Sequence, residues 1–99
     1  MPTQYPADPY LVQRGRFVAA CTAVMTANRL PMVTIYRPTI KDYPGKWVAR
    51  LHITLPKNET TRHYMTADSL EAIRNCVPAW MHVIGREPED DPVIEETWL

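Results

Sequence analysis

The nine residues WVARLHITL, positions 47–55, constrain the fold more than any other part of the chain. Apolar and polar residues alternate along them, and this is the period of a β-strand with one face buried. We expect Trp47, Leu51 and Ile53 to point into a core, while Arg50 and His52 point the opposite way. The chain must therefore supply other elements that cover one side of this strand.

Three further segments predict strands. Residues 32–37 are rich in β-branched and aromatic side chains. Residues 43–45, Tyr-Pro-Gly, have turn chemistry and separate this segment from the central strand. Residues 61–66 follow a polar turn and predict a strand that returns as a hairpin. Residues 93–99 predict a short final strand.

Two segments predict helices. Apolar side chains recur at helical spacing between residues 10 and 29, and Asp8 is placed to cap the first turn. Asp68 and Glu71 form the pattern of a capping box at the start of a second helix. Pro78 lacks the N–H that helical hydrogen bonding needs, so this second helix must end or kink before it.

The predicted architecture is an α+β domain with the element order α-β-β-β-α-β. We expect a mostly antiparallel four-stranded sheet with both helices on one face. Ninety-nine residues suffice for one hydrophobic core. Residues 1–99 are therefore expected to form a single domain, with residues 1–7 as a loose N-terminal tail. The expected inner face of the sheet contains Val33, Ile35, Trp47, Leu51, Ile53 and Met65.

The sheet face opposite the helices is the first candidate binding surface. By strand alternation it carries Tyr36, Arg50, His52, Arg62 and Tyr64. Basic residues interleaved with aromatic residues can hold phosphates and stack bases. Antiparallel sheets also commonly expose arginine, threonine and tyrosine for cross-strand pairing alone. The pattern therefore leaves nucleic-acid binding and a purely structural role open.

Charge is distributed unevenly along the chain, although the formal net charge is zero. Residues 1–50 carry a net charge of +5, and residues 51–99 carry −5. Such an asymmetry can mark a surface for a charged partner, or the two halves can neutralise each other in the fold. The acidic run near the end includes Glu89, Asp90 and Asp91, which could contact a partner, hold a cation or remain a solvated loop.

The sequence has no motif typical of catalysis, metal binding or cofactor binding. Its histidines lack the spacing of a Cys/His ligand set, and no nucleophile elbow or phosphate loop is present. We therefore expect no cofactor, no metal and no enzymatic activity. The alternative is a small enzyme in which His52 acts with a neighbouring carboxylate or tyrosine. The apolar stretches are too short for export or membrane insertion, so we expect a cytoplasmic protein with no membrane partner.

The segments IYRPTIKDYPGKWVARL and DDPVIEETWL resemble those of short proteins carried by phages, prophages and other mobile elements of proteobacteria. The resemblance covers residues 33–99 and leaves the first helix outside. It implies a setting in which small proteins often inhibit host defence machinery by binding it, as anti-CRISPR proteins do. No residue here forms a diagnostic anti-CRISPR motif, so the resemblance transfers no site residue to this chain.

Taken together, these patterns favour a non-enzymatic protein-binding module, and in a narrower form an inhibitor of a host defence complex. Nucleic-acid binding through the exposed sheet face is the main alternative. The free edge of the last strand could also pair with a second copy and form a homodimer. The candidate partner-binding residues are the five on the sheet face together with Glu89, Asp90 and Asp91.

Overall fold

The computed structural model describes residues 9–99, which form two helices and five strands. Helix α1 spans Pro9–Thr26, and helix α2 spans Leu70–Arg74. The strands are β1 (Leu30–Tyr36), β2 (Trp47–Leu55), β3 (Glu59–Ala67), β4 (Val83–Gly85) and β5 (Ile94–Trp98). The expected N-terminal tail and the expected cap Asp8 lie outside the described residues. Within residues 9–99, no helix combines the length and the apolar character needed to cross a membrane.

All five strands belong to one antiparallel sheet with the spatial order β3-β2-β1-β5-β4. The α+β class is confirmed, but the predicted number of four strands was wrong. The additional strand is β4, whose three residues end at Gly85 and pair with β5. Gly85 has a positive φ of 75°, which glycine adopts without steric cost, and it is the last residue of the strand. The element order is therefore α-β-β-β-α-β-β, and β3 and β4 are the two edges of the sheet.

Both helices pack on the same face of the sheet, as predicted. Phe17 and Cys21 of α1 and Ile73 of α2 share one buried cluster with the inner side chains of β1, β2 and β3. These inner side chains are Val33, Ile35, Ala49, Leu51, Met65 and Ala67. Burial of each large apolar side chain contributes about 1.5–3 kcal/mol before conformational entropy is subtracted. The predicted inner face is therefore confirmed, with Trp47 half-buried at its border.

Local backbone chemistry determines where α1 ends. After the last helical residue, Asn28 adopts a left-handed φ of 58°, which asparagine tolerates better than most residues. The Arg29 N–H then donates to the Val24 carbonyl at 3.1 Å and so satisfies an acceptor that the helix end leaves free. This cap ends the helix just before the first residue of β1.

Helix α2 is capped one residue later than predicted. Ser69 is the N-cap, and its Oγ accepts a hydrogen bond from the Ala72 N–H at 3.0 Å. Asp68, the predicted cap, instead forms an ion pair with Lys46. The helix ends before Pro78, as the missing N–H of proline requires.

Both cysteines are free thiols in the core. Cys21 and Cys76 are fully buried. Burial in an apolar environment raises the pKa of each thiol from its ordinary value of 9.0 to about 12. Both side chains therefore remain protonated at neutral pH and act as small apolar groups.

Candidate functional site

The outer face of the sheet, opposite the helices, is only partly open to solvent. The connection between β1 and β2, residues 37–46, contributes Ile40 and Tyr43 to a hollow of about 290 Å³ on this face. Beneath the connection, Val48 points to the outer side but is only 1% exposed. The expectation of a bare outer face is therefore corrected, because strand alternation does not reveal that a loop folds back over the sheet. We call this feature the outer-face hollow.

Arg50 and Tyr64 form a direct pair among the predicted site residues. They lie opposite each other on β2 and β3, and Arg50 Cζ is 5.7 Å from the Tyr64 ring centroid, a cation–π distance. Tyr43 adds a second ring, whose centroid is 5.1 Å from that of Tyr64. A hydrogen bond with the Tyr64 side chain is the main cause that raises the pKa of Tyr43. Tyr43 could not be predicted as a site residue from the sequence, because its position depends on the path of the loop.

Tyr36 and His52 line the outer-face hollow together with Arg50. Partial burial raises the pKa of Tyr36, and the Arg50 cation opposes this shift. Partial burial also lowers the pKa of His52, and repulsion by Arg50 lowers it further, so the imidazole is neutral at neutral pH. His52 Nδ1 lies 3.2 Å from Thr60 Oγ1. Within residues 9–99, His52 has no carboxylate or tyrosine hydrogen-bond partner of the kind that an acid–base pair uses.

Arg62 lies away from the outer-face hollow. The pairing of β2 with β3 shifts register between Arg50 and His52, so alternation along β3 does not hold through this point. Arg62 instead lines a groove between α1 and β3, which also contains Arg16. Tyr64 borders this groove as well. The five residues predicted for one face are thus divided between two places.

The acidic residues Glu89, Asp90 and Asp91 lie in the connection between β4 and β5, where hydrogen bonds order the backbone. The Asp90 carboxylate accepts from the Glu87 N–H at 2.9 Å, and the Asp91 carboxylate accepts from the Val93 N–H at 3.1 Å. The carboxylates of Asp90 and Asp91 therefore stabilise the backbone conformation of this connection. Across the part of the chain that the structure describes, no group of three or more His, Cys, Asp or Glu residues is arranged to hold a metal ion.

An apolar patch at the β4 edge was not predicted from the sequence. It consists of Trp80, Val83, Ile84 and Leu99, and we call it the β4 patch. Val83 and Ile84 are 51% and 53% exposed. The pairing of β4 with β5 shifts register between Val83 and Gly85, so regular alternation does not assign the faces of these two side chains. Nothing in the segment AWMHVIG distinguishes apolar residues that reach solvent from those that fill a core.

The backbone at the β4 patch has unpaired groups on its open side. His82 and Leu99 exchange two backbone hydrogen bonds, at 2.7 and 2.9 Å. In an antiparallel pair, the residue next to such a pair directs its N–H and C=O away from the partner strand. The polar groups of Val83 therefore face outward, beyond the edge of the sheet.

The β4 patch lies apart from the outer-face hollow and from the groove between α1 and β3, and these two adjoin each other at Tyr43. The β4 patch is apolar and lies at one edge of the sheet, whereas the groove has basic residues and lies at the other. The outer-face hollow between them combines three tyrosine or histidine side chains with Arg50. Comparison with models of protein families, with curated proteins and with solved structures finds no match to this chain.

Proposed function

We propose that this protein is a non-enzymatic protein-binding module and that the β4 patch is its docking surface. One observation carries the proposal: Val83 and Ile84 are more than half exposed on an edge strand whose outer side pairs with no strand among residues 9–99. Grouped apolar residues on a protein surface commonly mark interaction sites. An exposed sheet edge also offers backbone donors and acceptors to an extended segment of a partner.

The patch suits the addition of a partner strand to the sheet. The N–H and C=O of Val83 would pair with the added strand, and its register would follow from these hydrogen bonds. The exposed side chains of Val83 and Ile84 would contact the partner beside the added strand. Trp80 provides a large ring beside the strand, and tryptophan is frequent among residues that dominate binding energy. Most of the affinity would then come from these few apolar anchors.

We further propose that the partner belongs to a bacterial defence complex, which would place the protein in the cytoplasm. The resemblance of residues 33–99 to proteins of mobile elements supports this narrower form. A second copy of this chain is the alternative occupant of the β4 edge, and a mass measurement distinguishes the two.

The proposal is tested with the variant Ile84→Glu and the matched control Leu55→Glu. Leu55 is 56% exposed at the end of β2, which β1 and β5 separate from β4, so both variants place one carboxylate on an exposed apolar position of a strand. Affinity capture from bacterial lysate identifies the partner, and calorimetry with the purified partner then gives the dissociation constants. We expect Ile84→Glu to weaken binding about tenfold or more, since it forces a charge into the contact, and Leu55→Glu to have little effect. Unchanged affinity of Ile84→Glu would contradict the proposal.

A further inference from the structure

We infer that the groove between α1 and β3 binds single-stranded nucleic acid, a second function at the sheet edge opposite the β4 patch. Two adjoining hollows, of about 340 and 680 Å³, make up this α1–β3 groove. Arg16, Arg62 and His63 line both hollows and so join them into one continuous surface. The groove follows α1 from Gln13 to Ala27, which is about 20 Å at the helical rise of about 1.5 Å per residue.

Among residues 9–99, every charged residue that lines the α1–β3 groove is basic. Arg16 and Arg62 are exposed, and neither side chain has an ion pair or hydrogen bond within residues 9–99. Arg29, at the far end of the groove, differs because Glu59 neutralises it at 2.6 Å. Two uncompensated guanidinium groups along one groove attract phosphates, and each can hold phosphate oxygens in a bidentate manner.

Aromatic rings border the same groove. Tyr43 and Tyr64 line one end of it, and Tyr64 is 43% exposed. Along the helix, the groove is lined by small side chains, Ala19, Ala23 and Ala27, which leave room for a ligand. Positive charge that tracks a backbone, together with rings on which bases stack, is the common pattern of single-strand binding.

An acidic protein segment would match the same charge, but the rings favour nucleic acid. Bases gain stacking energy on tyrosine, whereas carboxylates do not. A nucleic-acid strand that contacts Arg16 and Arg62 would continue past the rings of Tyr43 and Tyr64, which line the same hollow. We therefore assign the groove to nucleic acid and treat an acidic peptide as an outcome of the test.

The experiment measures binding of the full chain to fluorescent single-stranded DNA and RNA of about ten nucleotides, a length within the range of small single-strand binding sites. The groove variant is Arg16→Ala with Arg62→Ala. The control is Lys41→Ala with Lys57→Ala, which removes the same charge from two exposed lysines outside the groove. We expect the groove variant to lose about tenfold or more in affinity and the control to lose about twofold or less.

The salt dependence gives a second readout. Loss of two phosphate contacts should lower the slope of log K against log salt by about 1.4, since each contact to a single strand contributes about 0.7. Cross-linking of a bromouracil-substituted strand to the wild-type protein should label Tyr43 or Tyr64. Because the cross-linking uses the wild-type protein, it tests whether nucleic acid contacts the groove even if the groove variant fails to fold.

Three results would overturn the inference. They are no binding at low salt, equal loss in the groove and control variants, and competition by polyglutamate as effective as that by unlabelled oligonucleotide. The variant Ile84→Glu should bind the oligonucleotide as the wild type does, because it leaves the α1–β3 groove intact. The failure of the docking proposal can therefore be distinguished from the failure of the nucleic-acid proposal.

Discussion

At the scale of single residues, Glu96 shows how a charge is accommodated in this small core. It is 5% exposed, and its carboxylate accepts hydrogen bonds from Arg74 Nη2 at 2.6 Å and from Trp98 Nε1 at 2.7 Å. A buried carboxylate is strongly destabilising when its partner is removed. The ion pair therefore links α2 to β5, and the buried Glu96 carboxylate depends on the hydrogen bonds that Arg74 and Trp98 donate to it.

We expect Arg74→Ala to lower the free energy of unfolding by about 1.5–3 kcal/mol, because Glu96 then loses its cationic partner. Urea denaturation measures this change. Lys46→Ala is the control, since its ion pair with Asp68 is exposed and should contribute about 1 kcal/mol or less. Equal losses in the two variants would show that burial of Glu96 does not matter.

The buried thiols give a prediction about pH. With the pKa raised to about 12, Cys21 and Cys76 stay protonated as the pH passes 9, where an exposed thiol ionises. Labelling with a disulfide reagent should therefore remain slow in the native protein between pH 7 and about 9 and become fast for both thiols in denaturant. Rapid labelling of the native protein at pH 8 would contradict the buried placement.

At the scale of elements, two neighbouring residues are candidates for the N-cap of α2, Ser69 and Asp68. Ser69→Ala should cost about 1 kcal/mol of stability, because the Ala72 N–H loses its acceptor. Asp68→Ala should cost less, since Asp68 is exposed and its ion-pair partner among residues 9–99 is the exposed Lys46. Thermal denaturation of the two variants compares them, and a larger loss for Asp68→Ala would favour the cap predicted from the sequence.

Strand β2 could be predicted to its residue bounds because its signal is local. Alternation along nine residues is enough to assign its two faces, and the burial of Leu51 and Ile53 agrees. Strand β4 could not, since three residues become a strand only through pairing with β5. A register shift in the pairing of β1 with β5 also places Ile94 opposite Tyr36, so Ile94 and Trp98 do not share a face, although two residues four apart in a regular strand would.

The candidate sites show the same difference between positions set by local sequence and positions set by long-range pairing. Arg50 and His52 could be placed from the sequence because they lie on the regular part of β2. Arg62 could not, because the register shift opposite β2 redirects it towards α1. Tyr43 lies in a connection, and its contact with Tyr64 depends on tertiary structure. Long-range pairing, rather than local pattern, therefore determines which side chains meet.

At the scale of the whole molecule, the uneven charge of the sequence is partly neutralised by folding. Among residues 9–99, three of the four ion pairs join a basic residue from the first half to an acidic residue from the second. These pairs are Arg29–Glu59, Arg37–Glu95 and Lys46–Asp68. Arg16 and Arg62 take no part in these ion pairs, and both line the α1–β3 groove.

We expect the isolated protein to be a monomer in solution. Strand β4 has three residues, so its hydrogen bonds alone are too few to hold a second copy, and a stable contact at this edge requires complementary apolar side chains on the partner. Light scattering coupled to size-exclusion chromatography measures the mass. A dimer that Ile84→Glu converts to a monomer would instead assign the β4 patch to self-association.

Amide hydrogen exchange at Val83, followed by NMR, tests the central claim that the outer side of β4 is open and receives a partner. In the free protein, the Val83 amide should exchange fast, while the His82 and Leu99 amides are protected by their mutual hydrogen bonds. In the complex with the captured partner, the Val83 amide should become protected as well. Protection of Val83 in the free monomer, or its continued fast exchange in the complex, would contradict the account.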